Sequence, residues 1–95
     1  MEQPKTTALK IHETLTSLNH LLQEKNKNYG NAALNPLGIF NKNSATDGIL
    51  IRLDDKLQRV KNSDILRKND IADLMGYLTL LCVEKEWTNF DELID

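Results

Sequence analysis

The stretch of sequence that decides the fold is residues 70–79, which read Asp70-Ile71-Ala72-Asp73-Leu74-Met75-Gly76-Tyr77-Leu78-Thr79. At about 3.6 residues per helical turn, Asp70, Asp73 and Tyr77 lie on one stripe of a helix whose other faces are mostly apolar. Such a helix is normally buried, and a carboxylate carried into a buried environment is costly to desolvate unless something pairs with it. The candidates are a divalent cation, an Arg or Lys, and backbone donors. We call Asp70, Asp73 and Tyr77 the acidic stripe, and the partner of its carboxylates is the main clue to function.

Size and composition restrict the classes of protein that the chain can belong to. Ninety-five residues predict one domain, residues 1–95, whose core a single protomer fills only marginally, so a homo-oligomer is expected. The net charge of −2 provides no basic excess for duplex nucleic acid, although it is compatible with a single nucleotide. Cys82 has no second cysteine to pair with, and no apolar run reaches the length of a signal or membrane segment. These features predict a soluble cytoplasmic protein.

The first helix is predicted from Thr7 to Tyr29. Lys25 and Tyr29 continue its apolar seam, with Asn28 beside them, so the seam becomes polar before the helix ends. Such an end is typical of a pocket wall; the alternative is that Lys25 extends to solvent along apolar surface and Tyr29 covers the core. The seam itself has spacings of three and four residues and comprises Ala8, Ile11, Leu15, Leu18 and Leu22.

The second helix is predicted from about Ser44 to about Lys61, after a long loop over residues 30–43 that could close a pocket. Ser44 and Asp47 approximate a capping box at its start. Its inward residues are expected to be Leu50, Leu53, Leu57 and Val60. Asp54 lies at the edge of this seam, and the basic residues Arg52, Lys56 and Arg59 are expected to point outward or along a flank.

The third helix is predicted to begin at Lys68 or Asn69 and to end near Trp87, with Asn69 as its N-cap. A short final helix should then tuck apolar side chains against the body, namely Phe90, Leu93 and Ile94. The predicted fold is therefore all-α, a small antiparallel bundle of three main helices plus a short C-terminal helix, with the third helix central. Leu74, Leu78 and Leu81 are expected to form the interface of a dimer or a larger oligomer.

Three segments match a known family in order and spacing. They are residues 25–30 (Lys-Asn-Lys-Asn-Tyr-Gly), residues 51–59 (Ile-Arg-Leu-Asp-Asp-Lys-Leu-Gln-Arg) and residues 70–77. Together they resemble the nucleotide-modification-associated domain 1 family of phages and prophages, which looks related to the all-α, MazG-like nucleoside triphosphate pyrophosphatases. The resemblance implies an all-helical, nucleotide-handling protein from a phage-type genome.

The resemblance also implies roles for particular residues. With it, we expect nucleotide or phosphate binding by Lys25, Asn28, Tyr29, Arg52, Lys56, Arg59 and Tyr77, and Mg²⁺ binding by Asp54, Asp70 and Asp73. Asp70 and Asp73 match the second acidic pair of the pyrophosphatases. The first pair has no match, because the second helix offers the adjacent Asp54 and Asp55, which diverge by about 100° and do not chelate one ion in the same way.

Three hypotheses follow from these residues. The first is a Mg²⁺-dependent nucleoside triphosphate pyrophosphohydrolase. The second is a catalytically silent nucleotide binder, for instance a phage sponge that sequesters a host signalling nucleotide as an anti-defence measure. The third is a structural interaction module, in which the acidic stripe pairs with Arg or Lys across a subunit interface.

Overall fold

The computed structural model describes residues 3–29 and 44–95, which form three α-helices, one 3-10 turn and no strand. The helices are α1 (Thr7–Tyr29), α2 (Ala45–Asn62) and α3 (Lys68–Glu84), and the 3-10 turn is Asp91–Leu93. The all-α class is therefore confirmed for these residues. The chain divides into two compact units, one containing α1 and the other containing α2, α3 and the 3-10 turn. The predicted loop over residues 30–43 lies outside the described residues.

Helix α1 has the bounds that its sequence predicts. Thr6 caps its start, because the Thr6 side-chain oxygen accepts a hydrogen bond from the Leu9 N–H at 3.1 Å. Along the predicted seam, Leu18 and Leu22 are half-buried. The earlier seam residues are exposed, namely Ala8, Ile11 and Leu15. Helix α1 forms a unit of its own, so the core-facing role of this seam stays a prediction.

Helices α2 and α3 pack side by side and run antiparallel. Thr46 near the start of α2 donates a hydrogen bond to Glu84 at the end of α3, while Lys56 late in α2 reaches Asp70 at the start of α3. The link between them, residues 63–67, is short, and Ser63 bonds to both the N–H and the carbonyl of Ile65. This hairpin of helices places the side chains of α2 directly against the acidic stripe of α3.

Helix α2 begins as predicted, but its inward face consists of different residues from those predicted. Ser44 is its N-cap and accepts a hydrogen bond from the Asp47 N–H at 3.1 Å. Leu50 and Leu57, both expected inside, are 44% and 54% exposed. The inward row is instead Ile49, Leu53, Lys56 and Val60, of which Ile49 and Leu53 are buried. The two rows share Leu53 and Val60, so helical periodicity alone does not distinguish them.

Helix α3 begins at Lys68 with Arg67 as its N-cap, so the prediction of Asn69 in that role is wrong. The helix ends at Glu84, three residues before the predicted end. There the Trp87 N–H bonds to the Cys82 carbonyl at 2.8 Å and the Glu86 N–H bonds to the Val83 carbonyl at 3.1 Å. These two bonds form a Schellman motif around Glu86, which has a left-handed φ of 59°. The chain therefore turns away at a residue that is not glycine.

The segment after α3 does not form the predicted short helix packed on the body. It contains one 3-10 turn, and its large apolar side chains are at least half exposed, namely Trp87, Phe90, Leu93 and Ile94. A 3-10 turn of three residues has no continuous apolar face that could anchor it. No helix among the described residues is long and apolar enough to cross a membrane.

Candidate functional site

The acidic stripe of α3 faces a lysine on α2. Lys56 Nζ lies 2.8 Å from Asp73 Oδ2 and 3.8 Å from Asp70 Oδ1. The first distance is that of a charge-assisted hydrogen bond, and the second is an ion pair without a short hydrogen bond. The side chain of Lys56 follows one turn after the buried Leu53, so the packing of α2 directs it towards α3. The prediction that Lys56 points outward or along a flank is therefore wrong.

The three charged side chains are largely shielded from water. Lys56 is 17% exposed, Asp70 is 13% exposed and Asp73 is 26% exposed. Because screening by water is reduced at such a position, each charge depends on its neighbours more than a surface ion pair does. Asp70 also lies in the first turn of α3, where a negative charge interacts favourably with the helix dipole. Two carboxylates that share one ammonium leave this group with a net charge of −1.

An arginine and an aromatic ring lie next to the lysine and its two carboxylates. Arg52 is one turn before Lys56 on α2, Tyr77 is one turn after Asp73 on α3, and the guanidinium carbon is 6.0 Å from the ring centroid. That distance is at the outer limit of a cation–π interaction. Arg52 is exposed and Tyr77 is half-buried. We call these five residues, Arg52, Lys56, Asp70, Asp73 and Tyr77, the polar row.

The remaining predicted site residues are exposed on α2 or belong to α1, which is a separate unit. On α2, Asp54 and Arg59 are both exposed. On α1, Lys25 and Asn28 are exposed in the last two turns of the helix. Tyr29 is the last residue of α1, and its side chain lies outside what the structure describes. Whether these residues take part in ligand binding stays a prediction.

The carboxylates of the polar row suit a divalent cation by chemistry, because Mg²⁺ prefers oxygen ligands. In the part of the chain that the structure describes, however, no three His, Cys, Asp or Glu side chains are grouped so that they could share an ion. Asp70 and Asp73 are brought together, whereas Asp54 is exposed on α2. The positive charge that these two carboxylates share is the ammonium of Lys56. The Mg²⁺ assignment stays a prediction.

Two features of the site were not predicted from the sequence. One is the inward position of Lys56, for which the spacing Ile49, Leu53, Lys56, Val60 was the available signal. The other is the hydrogen bond from Thr46 to Glu84 at 3.2 Å, which joins the far end of the hairpin. No sequence pattern signals this bond, because it depends on the register of the two helices.

Comparisons with protein-family models, with curated proteins and with solved structures gave no match for this chain. The function is therefore argued from the polar row.

Proposed function

We propose that this chain is a nucleotide-handling protein that binds a phosphorylated nucleoside at the polar row. The observation that carries the proposal is the pairing of the exposed Arg52 guanidinium with the Tyr77 ring, one helical turn from Lys56, Asp70 and Asp73. A guanidinium presents a fork of N–H donors that matches phosphate oxygens, and an aromatic ring can stack on a base. The row thus combines groups for both halves of a nucleotide.

The charges of the row favour a nucleotide over a simple anion. Lys56 is shared by Asp70 and Asp73, so this part of the row has no excess positive charge for a phosphate. The two carboxylates are instead hydrogen-bond acceptors that suit the hydroxyl groups of a sugar or the N–H groups of a base. A nucleotide can place its phosphate at the Arg52 guanidinium and its hydrogen-bond donors at the two carboxylates, so that both parts of the row are paired. Inorganic phosphate lacks the second feature.

The family resemblance of the three segments supports the same class of ligand, and two of those segments contribute every residue of the polar row. Two forms of the function follow from it. One is Mg²⁺-dependent pyrophosphohydrolysis in the cytoplasm of a phage host. The other is binding without cleavage, for instance sequestration of a host signalling nucleotide. We favour binding, because the cation between the acidic residues is a lysine and Asp54 is exposed on α2.

A binding experiment tests the proposal. Calorimetric titration of the protein with deoxynucleoside triphosphates, monophosphates and cyclic nucleotides, with and without Mg²⁺, should identify at least one ligand. Arg52→Gln should lower the affinity for that ligand at least about tenfold, since a charge-assisted pair contributes about 1.4 kcal/mol or more. Arg67→Gln, which removes the same charge at an exposed position just before α3, is the matched control.

The state of the ligand after incubation separates the two forms of the function. Chromatography should recover the bound nucleotide intact after the protein is denatured. Release of pyrophosphate in the presence of Mg²⁺ would instead establish hydrolysis. If no nucleotide binds at millimolar concentration, or if Arg67→Gln weakens binding as much as Arg52→Gln, the proposed function is wrong.

A second candidate is an interaction module that works as a homo-oligomer. Leu78 is 50% exposed on α3 and lies between the half-buried Leu74 and Leu81, so this apolar row is available to a second copy of the chain. Sedimentation velocity at tens of micromolar should then detect a dimer or a larger species, and Leu78→Asp should convert it to monomer. A well-folded monomer at every concentration contradicts this candidate.

A further inference from the structure

The ammonium of Lys56 is the positive charge that lies between the two carboxylates of α3. We infer that Lys56 is the resident cation of the polar row and that it excludes a divalent metal ion from Asp70 and Asp73. The inference deepens the proposed function and rests on it, because it makes ligand binding at this row independent of Mg²⁺. The Lys56 ammonium and a divalent metal ion would compete for the same carboxylate oxygens.

The geometry prevents the two cations from sharing the site. Mg²⁺ binds carboxylate oxygens at about 2.1 Å, so an ion on Asp73 Oδ2 would lie within about 5 Å of Lys56 Nζ. At a position that is largely shielded from water, repulsion between a divalent ion and an ammonium at that distance is strong. Lys56 is only 17% exposed, and moving its ammonium into solvent would expose its methylene stem. The lysine therefore stays, and the metal ion is excluded.

The ligand atoms that the polar row offers also disfavour a bound Mg²⁺ ion. Mg²⁺ demands nearly octahedral coordination by oxygen atoms. The row offers carboxylates from Asp70 and Asp73 on α3, but its contribution from α2 consists of two cations, Arg52 and Lys56. The acidic residues that α2 does carry, Asp47, Asp54 and Asp55, are all exposed. Where a metal site would need further oxygen ligands, this chain supplies positive charge.

Removal of Lys56 should reveal the latent metal site. Mn²⁺ serves as the probe, without nucleotide, and its binding is measured by water-proton relaxation. Wild-type protein should bind Mn²⁺ no more tightly than Asp73→Asn does. Lys56→Met, which keeps the length of the side chain and removes its charge, should bind Mn²⁺ at least about tenfold more tightly than wild type. The double variant Lys56→Met/Asp73→Asn should lose that gain.

Two further variants complete the test, and circular dichroism verifies the helical content of each protein. Lys61→Met removes an exposed lysine from the same helix and should leave Mn²⁺ binding unchanged. Lys56→Arg keeps the charge and should exclude Mn²⁺ as wild type does. If Lys56→Met does not fold, Lys56→Gln, which is also uncharged, takes its place in every comparison.

Two results would overturn the inference. One is Mn²⁺ binding by wild type that is at least tenfold tighter than binding by Asp73→Asn. The other is a folded Lys56→Met variant that binds Mn²⁺ no better than wild type. Failure of the proposed function is distinguishable, because it is an absence of nucleotide binding to wild type, whereas every measurement here uses the metal ion alone.

Discussion

The ion pair between Lys56 and Asp73 should contribute measurably to the stability of the α2–α3 hairpin. Asp73→Asn preserves the shape of the side chain but removes its charge, so among the described ion pairs the Lys56 ammonium keeps its longer contact of 3.8 Å to Asp70. We expect this substitution to lower the free energy of unfolding. Asp70→Asn should have a smaller effect, because it leaves the 2.8 Å contact between Lys56 and Asp73 intact.

The magnitude follows from the burial of the pair. Exposed ion pairs contribute at most about 1 kcal/mol, and breaking a fully buried pair costs about 3 to 5 kcal/mol. Lys56 is 17% exposed and Asp73 is 26% exposed, so the pair is neither fully exposed nor fully buried, and its contribution should lie between these two energies. We therefore expect a loss of about 2 kcal/mol for Asp73→Asn and about 1 kcal/mol for Asp70→Asn. For a chain of this size, the larger loss lowers the melting temperature by about 10 °C.

Urea denaturation followed by circular dichroism at 222 nm measures these losses. Asp54→Asn, which alters an exposed carboxylate on α2, should change stability by less than about 0.5 kcal/mol. A double-mutant cycle with Lys56→Met and Asp73→Asn isolates the interaction between the two residues and should give a coupling energy of about 1 to 2 kcal/mol. A coupling energy near zero would refute the reasoning, as would a greater cost for Asp70→Asn than for Asp73→Asn.

Three further substitutions test the local backbone, and thermal denaturation measures each. Glu86→Gly should stabilise the protein by about 1 kcal/mol, because Glu86 has a left-handed φ that glycine adopts without strain; destabilisation would contradict the assigned helix end. Gly48→Ala should stabilise it by about 0.5 to 1 kcal/mol, because a Cβ atom there meets no described atom within 4 Å apart from the adjoining backbone of its own helix, and a loss of stability would show a clash. Ser44→Ala should cost about 1 kcal/mol through loss of the N-cap, and an unchanged melting temperature would argue against the cap.

Local signals in the sequence predicted most helix boundaries. The Thr6 and Ser44 caps act within one helical turn, so they are readable from adjacent residues. The end of α3 was harder to predict, because it depends on a left-handed backbone at Glu86, a residue type that rarely adopts it. The exposed position of Trp87 follows from that turn.

The candidate site was predictable in part. The stripe of Asp70, Asp73 and Tyr77 follows from helical spacing. Of the three kinds of partner considered for its carboxylates, namely a divalent cation, an Arg or Lys, and backbone donors, the structure shows a lysine, Lys56. The spacing of Ile49, Leu53, Lys56 and Val60 allows Lys56 to point inward, but the sequence does not decide the matter, because the overlapping row predicted instead has equally good helical spacing. The burial of Ile49, together with the exposure of Leu50 and Leu57, identifies the inward row.

The short link between α2 and α3 has a consequence for the order in which this unit folds. Lys56 and Asp70 are close in sequence, so their contact closes a small loop at little entropic cost. The contact between Thr46 and Glu84 spans 38 residues and costs more to close if it forms first. We therefore expect the hairpin to form from the link outward, so that the pairing of Lys56 with the acidic stripe fixes the register early and the Thr46 end of α2 docks last.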